Sequence, residues 1–180
     1  MIVLVGASAS GKTEIAKKMF EIFGYQKCVT TTTRPKRQNE TDGKDYHFLD
    51  QETFIEAIKK DLFYEVSTYH NHYYGIQKKD VFDQGIVIVE PKGANTLIDK
   101  LNQEVYIVYI ETSEALRQKR MLERGDSSDL VLERILFDRQ VFYRDAFKKI
   151  DLIVQNEDQT IDMLAQTIHN HYQSYLKEKK

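Results

Sequence analysis

The N-terminal stretch "MIVLVGASASGKTEIAKKMF" leaves few folds open to this chain. Ile2 to Val5 form a short apolar, β-branched run, and Gly6 to Thr13 match the pattern G-x-x-x-x-G-K-[ST] in full. Glu14 to Phe23 then place Ile15, Met19 and Phe20 on one helical face, with Gly24 as a C-terminal stop. A strand that turns into a helix through a glycine-bounded loop is the opening unit of a parallel α/β sheet. Gly6 permits the sharp exit from the strand, and Gly11 lets backbone N–H groups approach an anion with no Cβ in the way. Ala7, Ser8, Ala9 and Ser10 complete a cradle for nucleotide phosphates. Lys12 is expected to reach the β- and γ-phosphates and the Thr13 hydroxyl to join the shell of Mg²⁺, while the helix N-terminus adds its dipole. The bland alternative is a Gly/Ser turn before a helix; with 8 glycines in 180 residues and both flanks in place, the full motif weighs against it.

Apolar, β-rich runs recur at Val29 to Thr32, Ile86 to Val89, Val105 to Ile110 and Leu152 to Val154, separated by helix-length amphipathic segments. That alternation needs crossover connections and predicts an α/β fold with a mostly parallel sheet flanked by helices. Two regions break the rhythm: 33–80, rich in tyrosine and polar residues, and 121–149, charged and helical. The expectation is one domain of core 1–32, 81–120 and 150–180 carrying both as subregions. The stripe Ile161, Leu164, Ile168, Tyr172 and Tyr175 is expected to pack on the sheet. A net charge of -2 gives no bulk attraction for nucleic acid. The single cysteine, Cys28, rules out an internal disulfide and suits a reducing compartment. The first residues have no basic stretch and too short an apolar one for a signal peptide or membrane span. These features point to a cytoplasmic protein, monomer or homodimer, with no membrane partner.

The arginines are unevenly placed. Of eight, Arg34 and Arg37 stand in "TTTTRPKRQNETDGKDYHF", and the other six lie between Arg117 and Arg144. Arginine is the planar, bidentate fork for phosphate, so the distribution suggests two local anion sites. Arg117, Arg120 and Arg124 share one helical face, and Arg134 follows the turn-like "GDSSD". Such a charged hairpin suits a mobile lid over a transferring phosphoryl group; the alternative is a solvated face paired with Glu114, Glu123 or Asp138. A phosphate loop alone is shared by GTPases, motor-type ATPases and small-molecule kinases. A second arginine site favours a kinase, which must hold an acceptor and exclude water. His70 with His72 and His169 with His171 lack further ligands at zinc spacing, so no metal site is expected from them.

With these motifs in order, the chain resembles guanylate kinases along nearly its whole length, through the phosphate loop, "TTTTRPKR", "DGKDYHF", "LFYEV", "HYYGI", "EPKGA", "KRMLERG" and "DLIVQNED". The resemblance implies a P-loop nucleoside monophosphate kinase fold, with 33–80 as the acceptor-binding region and 121–149 as the lid. It implies in-line transfer from Mg-ATP to GMP, with small-molecule nucleotides as partners. By the same resemblance, Arg34, Arg37, Tyr46 and Tyr74 clamp the acceptor phosphate, and Thr30 and Glu65 meet its base. Asn156 lies beside the donor adenine, while Lys12, Arg120, Arg124 and Arg134 carry transition-state charge. The chain departs from the family at Ile76, where a Ser or Thr usually meets the guanine O6. It departs again at Ile88 and Glu90, where two aspartates are usual, leaving Glu90 to serve Mg²⁺ or the acceptor. A kinase of another phosphorylated small molecule and a non-catalytic guanylate-kinase-like binding module remain as alternatives.

Overall fold

The computed structural model describes residues 1–37, 40–69 and 71–179. Its centre is a five-stranded parallel sheet. Strand β1 (Ile2–Val5) is buried on both faces and lies between β7 (Gly85–Ile88) and β8 (Tyr106–Glu111). The outer places are held by β2 (Gln26–Lys27) beside β7 and β9 (Leu152–Gln155) beside β8. Ile2 stands opposite Ile86 and Tyr106, and Leu4 opposite Ile88 and Val108. Alternation along the strands sends these residues to one face. There, helices α1 (Lys12–Phe23) and α6 (Ile161–Glu178) cover Ile2, Leu4, Ile86 and Val108 with Ile15, Met19, Leu164 and Ile168. The opposite face, with Val3, Val5, Val87 and Ile107, is covered by Ala94 and Leu97 of α3 (Pro91–Leu101) and by Phe147. Each fully buried aliphatic side chain contributes about 1.5 to 3 kcal/mol.

A second, four-stranded sheet runs in the order β4 (His47–Phe48), β3 (Thr30–Thr32), β6 (His72–Gln77), β5 (Phe63–Tyr69). Helix α2 (Gln51–Lys59) is capped by Asp50, which accepts from the Thr53 N–H, and packs Phe54 on Phe63 at 4.6 Å and Tyr73 at 5.5 Å. Of the run Val29 to Thr32, Thr30–Thr32 is strand, but it does not join the central sheet as its place in the expected core implied. Chain exchange between the sheets falls between Lys27 and Thr30. The reason lies across the strand: Gln77 donates to the Thr31 hydroxyl at 2.6 Å, and the Thr32 hydroxyl donates to the Tyr73 carbonyl at 3.0 Å.

The charged region forms a hairpin of α4 (Glu114–Glu123) and α5 (Ser128–Val141), capped by Ser113 and Ser127 and joined through Gly125 at φ 92°. Met121, Val131 and Ile135 make its small core and pack on Ala9 of the phosphate loop. Among the described residues no helix is long and apolar enough to cross a membrane. His169 stacks on Phe23 at 4.0 Å and pairs with the Tyr25 hydroxyl, whereas His70 lies outside the described residues.

Candidate active site

The loop after β1 is held in a shape that its sequence permits. Gly6 (φ 148°) and Gly11 (φ 96°) take backbone conformations that favour glycine, and Ala9 (φ 58°) is left-handed as well. A Cβ on Gly6 would strike the Ile110 carbonyl, and one on Gly11 the Asn156 side-chain amide. Lys12 Nζ folds back on its own loop, donating to the carbonyls of Gly6 at 2.7 Å and Ala7 at 2.8 Å and to Ser10 Oγ at 3.3 Å. Burial lowers its pKa to about 8, partly opposed by the charge of Asp138. Thr13 is exposed in the first turn of α1. Asn156 was expected beside the donor adenine. It is buried, its Nδ2 donating to the Ser10 carbonyl at 2.8 Å and its Oδ1 accepting from Arg120 at 3.3 Å, so it braces the loop from behind.

The hairpin arginines do not act as one set. Arg120 donates to the Ala9 carbonyl at 3.3 Å. Arg124 turns away to Asp126, with bonds of 2.9 and 2.5 Å, and Arg134 stands 3.7 Å from the same carboxylate while lining the cleft. Arg117 is buried and pairs with the equally buried Asp138 at 2.7 Å. Asp138 in turn accepts from Ser8, from its N–H at 2.9 Å and its hydroxyl at 3.2 Å.

On the facing side, Arg34 pairs with Glu40 at 2.7 Å, and Glu40 also accepts from the Arg37 N–H at 2.8 Å. The Arg34 guanidinium lies over the Tyr46 ring at 5.3 Å, and Tyr46 meets Tyr74 edge-on at 6.3 Å. The Arg37 side chain is exposed. Glu65 is 5% exposed and its Oε1 has no hydrogen-bond partner among the described residues. Burial pushes its pKa up to about 7, with Ser67 and Lys92 pulling the other way. Ile76 stands opposite Thr30 and Glu65 in the sheet, yet it is fully buried with Val3, Val5 and Val87 and does not line the cleft. The expected acceptor contact at this position is therefore absent: a hydrocarbon side chain gains by joining the core.

One cleft of about 370 Å³ joins the two halves. Gly6, Ser8 and Lys12 wall one end, and Thr30, Tyr46, Glu65 and Tyr74 the other. Ile88 and Glu90 line it too. The Glu90 pKa is raised, first by burial and then by Asp138, with Lys12 opposing. Lys92 and Asp138 also line the cleft without having been singled out from sequence as site residues. Asp138 had a signal only as a possible ion-pair partner, because a pairing across a helical hairpin has no sequence spacing of its own. Among the described residues no group of three metal-ligating side chains gathers.

A parallel sheet whose first strand feeds a phosphate loop, facing a tyrosine-bearing sheet across a shared cleft, is the arrangement of the P-loop nucleoside monophosphate kinase class. Comparison with known proteins narrows this: the guanylate kinase family model matches residues 1–171. A guanylate kinase of Onion yellows phytoplasma is 33% identical over 168 residues, covering 88% of this chain and 78% of that protein. One from Thermotoga maritima is 30% identical over 181 residues, covering 94% and 86%. The crystal structure of guanylate kinase from Anaplasma phagocytophilum superposes with a TM-score of 0.72 at 25% identity, over 96% of this chain and 85% of the other. The chain belongs to the guanylate kinase family.

Proposed function

We propose that the protein transfers the terminal phosphoryl group of Mg-ATP to a nucleoside monophosphate, GMP foremost, forming GDP and ADP. The observation that carries this reading is the continuous cleft lined by both Lys12 and the buried carboxyl of Glu65, whose Oε1 has no hydrogen-bond partner among the described residues. As a carboxylate, Glu65 accepts from the guanine N1–H and 2-amino group; adenine has no donor at N1. Thr30, one strand beyond Ile76 and lining the same cleft, offers a second base contact. Arg34, released from Glu40, the exposed Arg37 side chain and the phenols of Tyr46 and Tyr74 surround the acceptor phosphate, offsetting its repulsion of the donor. The acceptor phosphate oxygen attacks the γ-phosphorus as the bond to the β-phosphate breaks, and no general base is needed because the nucleophile is already anionic. Lys12, Arg120 and Arg134, with Arg124 once it leaves Asp126, supply positive charge as transfer proceeds.

The donor set suits Mg²⁺ in its usual kinase setting, with one or two protein oxygens beside nucleotide phosphates and water. Thr13 and Glu90 would hold it, and the ion neutralises phosphate charge.

The test is ADP formation from Mg-ATP with GMP, dGMP, IMP, AMP, UMP, CMP and a panel of sugar phosphates, against a blank without acceptor. GMP-dependent turnover is expected, and Lys12→Ala is expected to cut it by a factor of about 10² or more without unfolding the protein. Background rates with every nucleotide would overturn the reading, as would near-normal turnover by Lys12→Ala.

A further inference from the structure

One protein carboxylate stands where the reaction needs an anion of its own. Asp138 is 2% exposed and lines the cleft beside Ser8 and Lys12. It takes the Ser8 N–H on Oδ2 and the Ser8 hydroxyl on Oδ1, and Arg117 binds Oδ2 from α4. Ser8 is the third residue of the phosphate loop, whose backbone N–H groups are the donors that receive phosphate oxygens. Glu65 and Tyr74 line the same cleft, so Asp138 and the acceptor-side residues share one space. The charged groups around it are Arg117 from α4, Lys12 from the loop and Glu90 after β7. A third phosphate arriving there meets a like charge seated on a donor it needs. Arg117 keeps a buried Nε with no partner among the described residues, a spare donor for an incoming oxygen.

We propose that Asp138 is a donor-specificity residue: it occupies Ser8 as an internal stand-in for the terminal phosphate and must leave Ser8 before a triphosphate is fully seated. This rests on the donor-site reading above. A diphosphate does not reach Ser8 and so is indifferent to Asp138, whereas a triphosphate has to displace it. A merely structural ion pair would affect both nucleotides alike.

The experiment is calorimetric titration of ADP and of adenylyl imidodiphosphate, a non-hydrolysable triphosphate, in Mg²⁺ without acceptor. Wild type is expected to bind the triphosphate no more tightly than ADP. Asp138→Asn is expected to tighten the triphosphate about tenfold with ADP unchanged. If that variant fails to fold, Asp138→Ser, which removes the charge and leaves Arg117 in place, is the second variant, and the affinity ratio is expected to move in the same direction. A ratio that is unchanged or falls in the folded variant overturns the proposal, as does a wild type that binds the triphosphate about 100-fold more tightly than ADP. If wild type binds ADP and only the expected change of ratio is missing, the donor-site reading survives alone. If it binds neither nucleotide, both fall.

Discussion

At opposite ends of the cleft, burial tunes two side chains in opposite directions, and each limits a different substrate. Lys12, brought down from 10.5 to about 8, is charged below that pH and neutral above it. The charged form attracts phosphate, so kcat/KM for ATP is expected to hold below about pH 8 and to fall above it by about tenfold per unit. Glu65, pushed up from 4.5 to about 7, is the carboxylate only above that pH. Its charged form accepts from guanine, so kcat/KM for GMP is expected to rise as pH climbs to about 7 and then level. Separate profiles for the two substrates check both limbs, and in Glu65→Gln the acid limb for GMP should vanish. Profiles that are flat from pH 6 to 9 would remove both residues from these roles. Asn156 acts at the same scale but through the backbone. Asn156→Ala leaves the Ser10 carbonyl to the Thr112 hydroxyl alone and takes the side-chain acceptor from Arg120, which keeps the carbonyls of Ala9 and residue 156, so it should cost about 1 kcal/mol of stability. It should raise KM for ATP while leaving KM for GMP unchanged, a split that initial-rate kinetics would show.

The α4–α5 hairpin is the element whose packing reports on the donor loop. Met121 is fully buried against Val131, Ile135 and Ala9, so Met121→Ala should cost about 2 to 5 kcal/mol. The loss should be local: faster amide exchange across 114–141 with the strands β1, β7 and β8 still protected, measured by hydrogen exchange. Uniformly faster exchange would show the hairpin to be part of the central cooperative unit. Elements also separate what the sequence made legible from what it hid. The unit β1, loop and α1 was readable because one motif demands strand, turn and helix together. Val29 to Thr32 was readable as a strand but not as a member of either sheet, since β-rich composition says nothing of the partner that Gln77 and Tyr73 supply. Strands of two residues, β2 and β4, carry no periodicity to read. Glu65 was placed by resemblance, and the structure adds its burial and unpaired oxygen. Ile76 was legible as a departure at a base-contacting position, but not that its side chain is spent on the core, because period-2 reasoning fixes a face only once the register is known. Arg117 looked like one of three arginines on a stripe; its pairing with Asp138 depends on how two helices meet.

The whole molecule is two sheets with one cleft between them, and its walls come from both. The sheets are joined by the segment after Lys27 and by that before Gly85, and α3 packs on β5. A ligand on one wall leaves their relation as it was, whereas one that reaches from Lys12 to Glu65 ties the two together. Adenosine and guanosine joined by five phosphates is such a ligand. Linking the halves turns the second binding event into an intramolecular one, and affinity is expected to exceed that of either nucleotide by a factor of about 10² to 10⁴. At 100 times its Kd the compound should stabilise the fold by about 2.7 kcal/mol, a rise in Tm of about 5 to 11 °C for a chain of this size. ADP and GMP together at the same concentrations should give less, because each is held by its own wall. Replacing the guanosine end by adenosine should forfeit most of the gain, since Glu65 then meets no N1–H. If the guanosine compound shifts Tm no further than adenosine tetraphosphate alone, the two walls do not form one site and Glu65 is not reading a base.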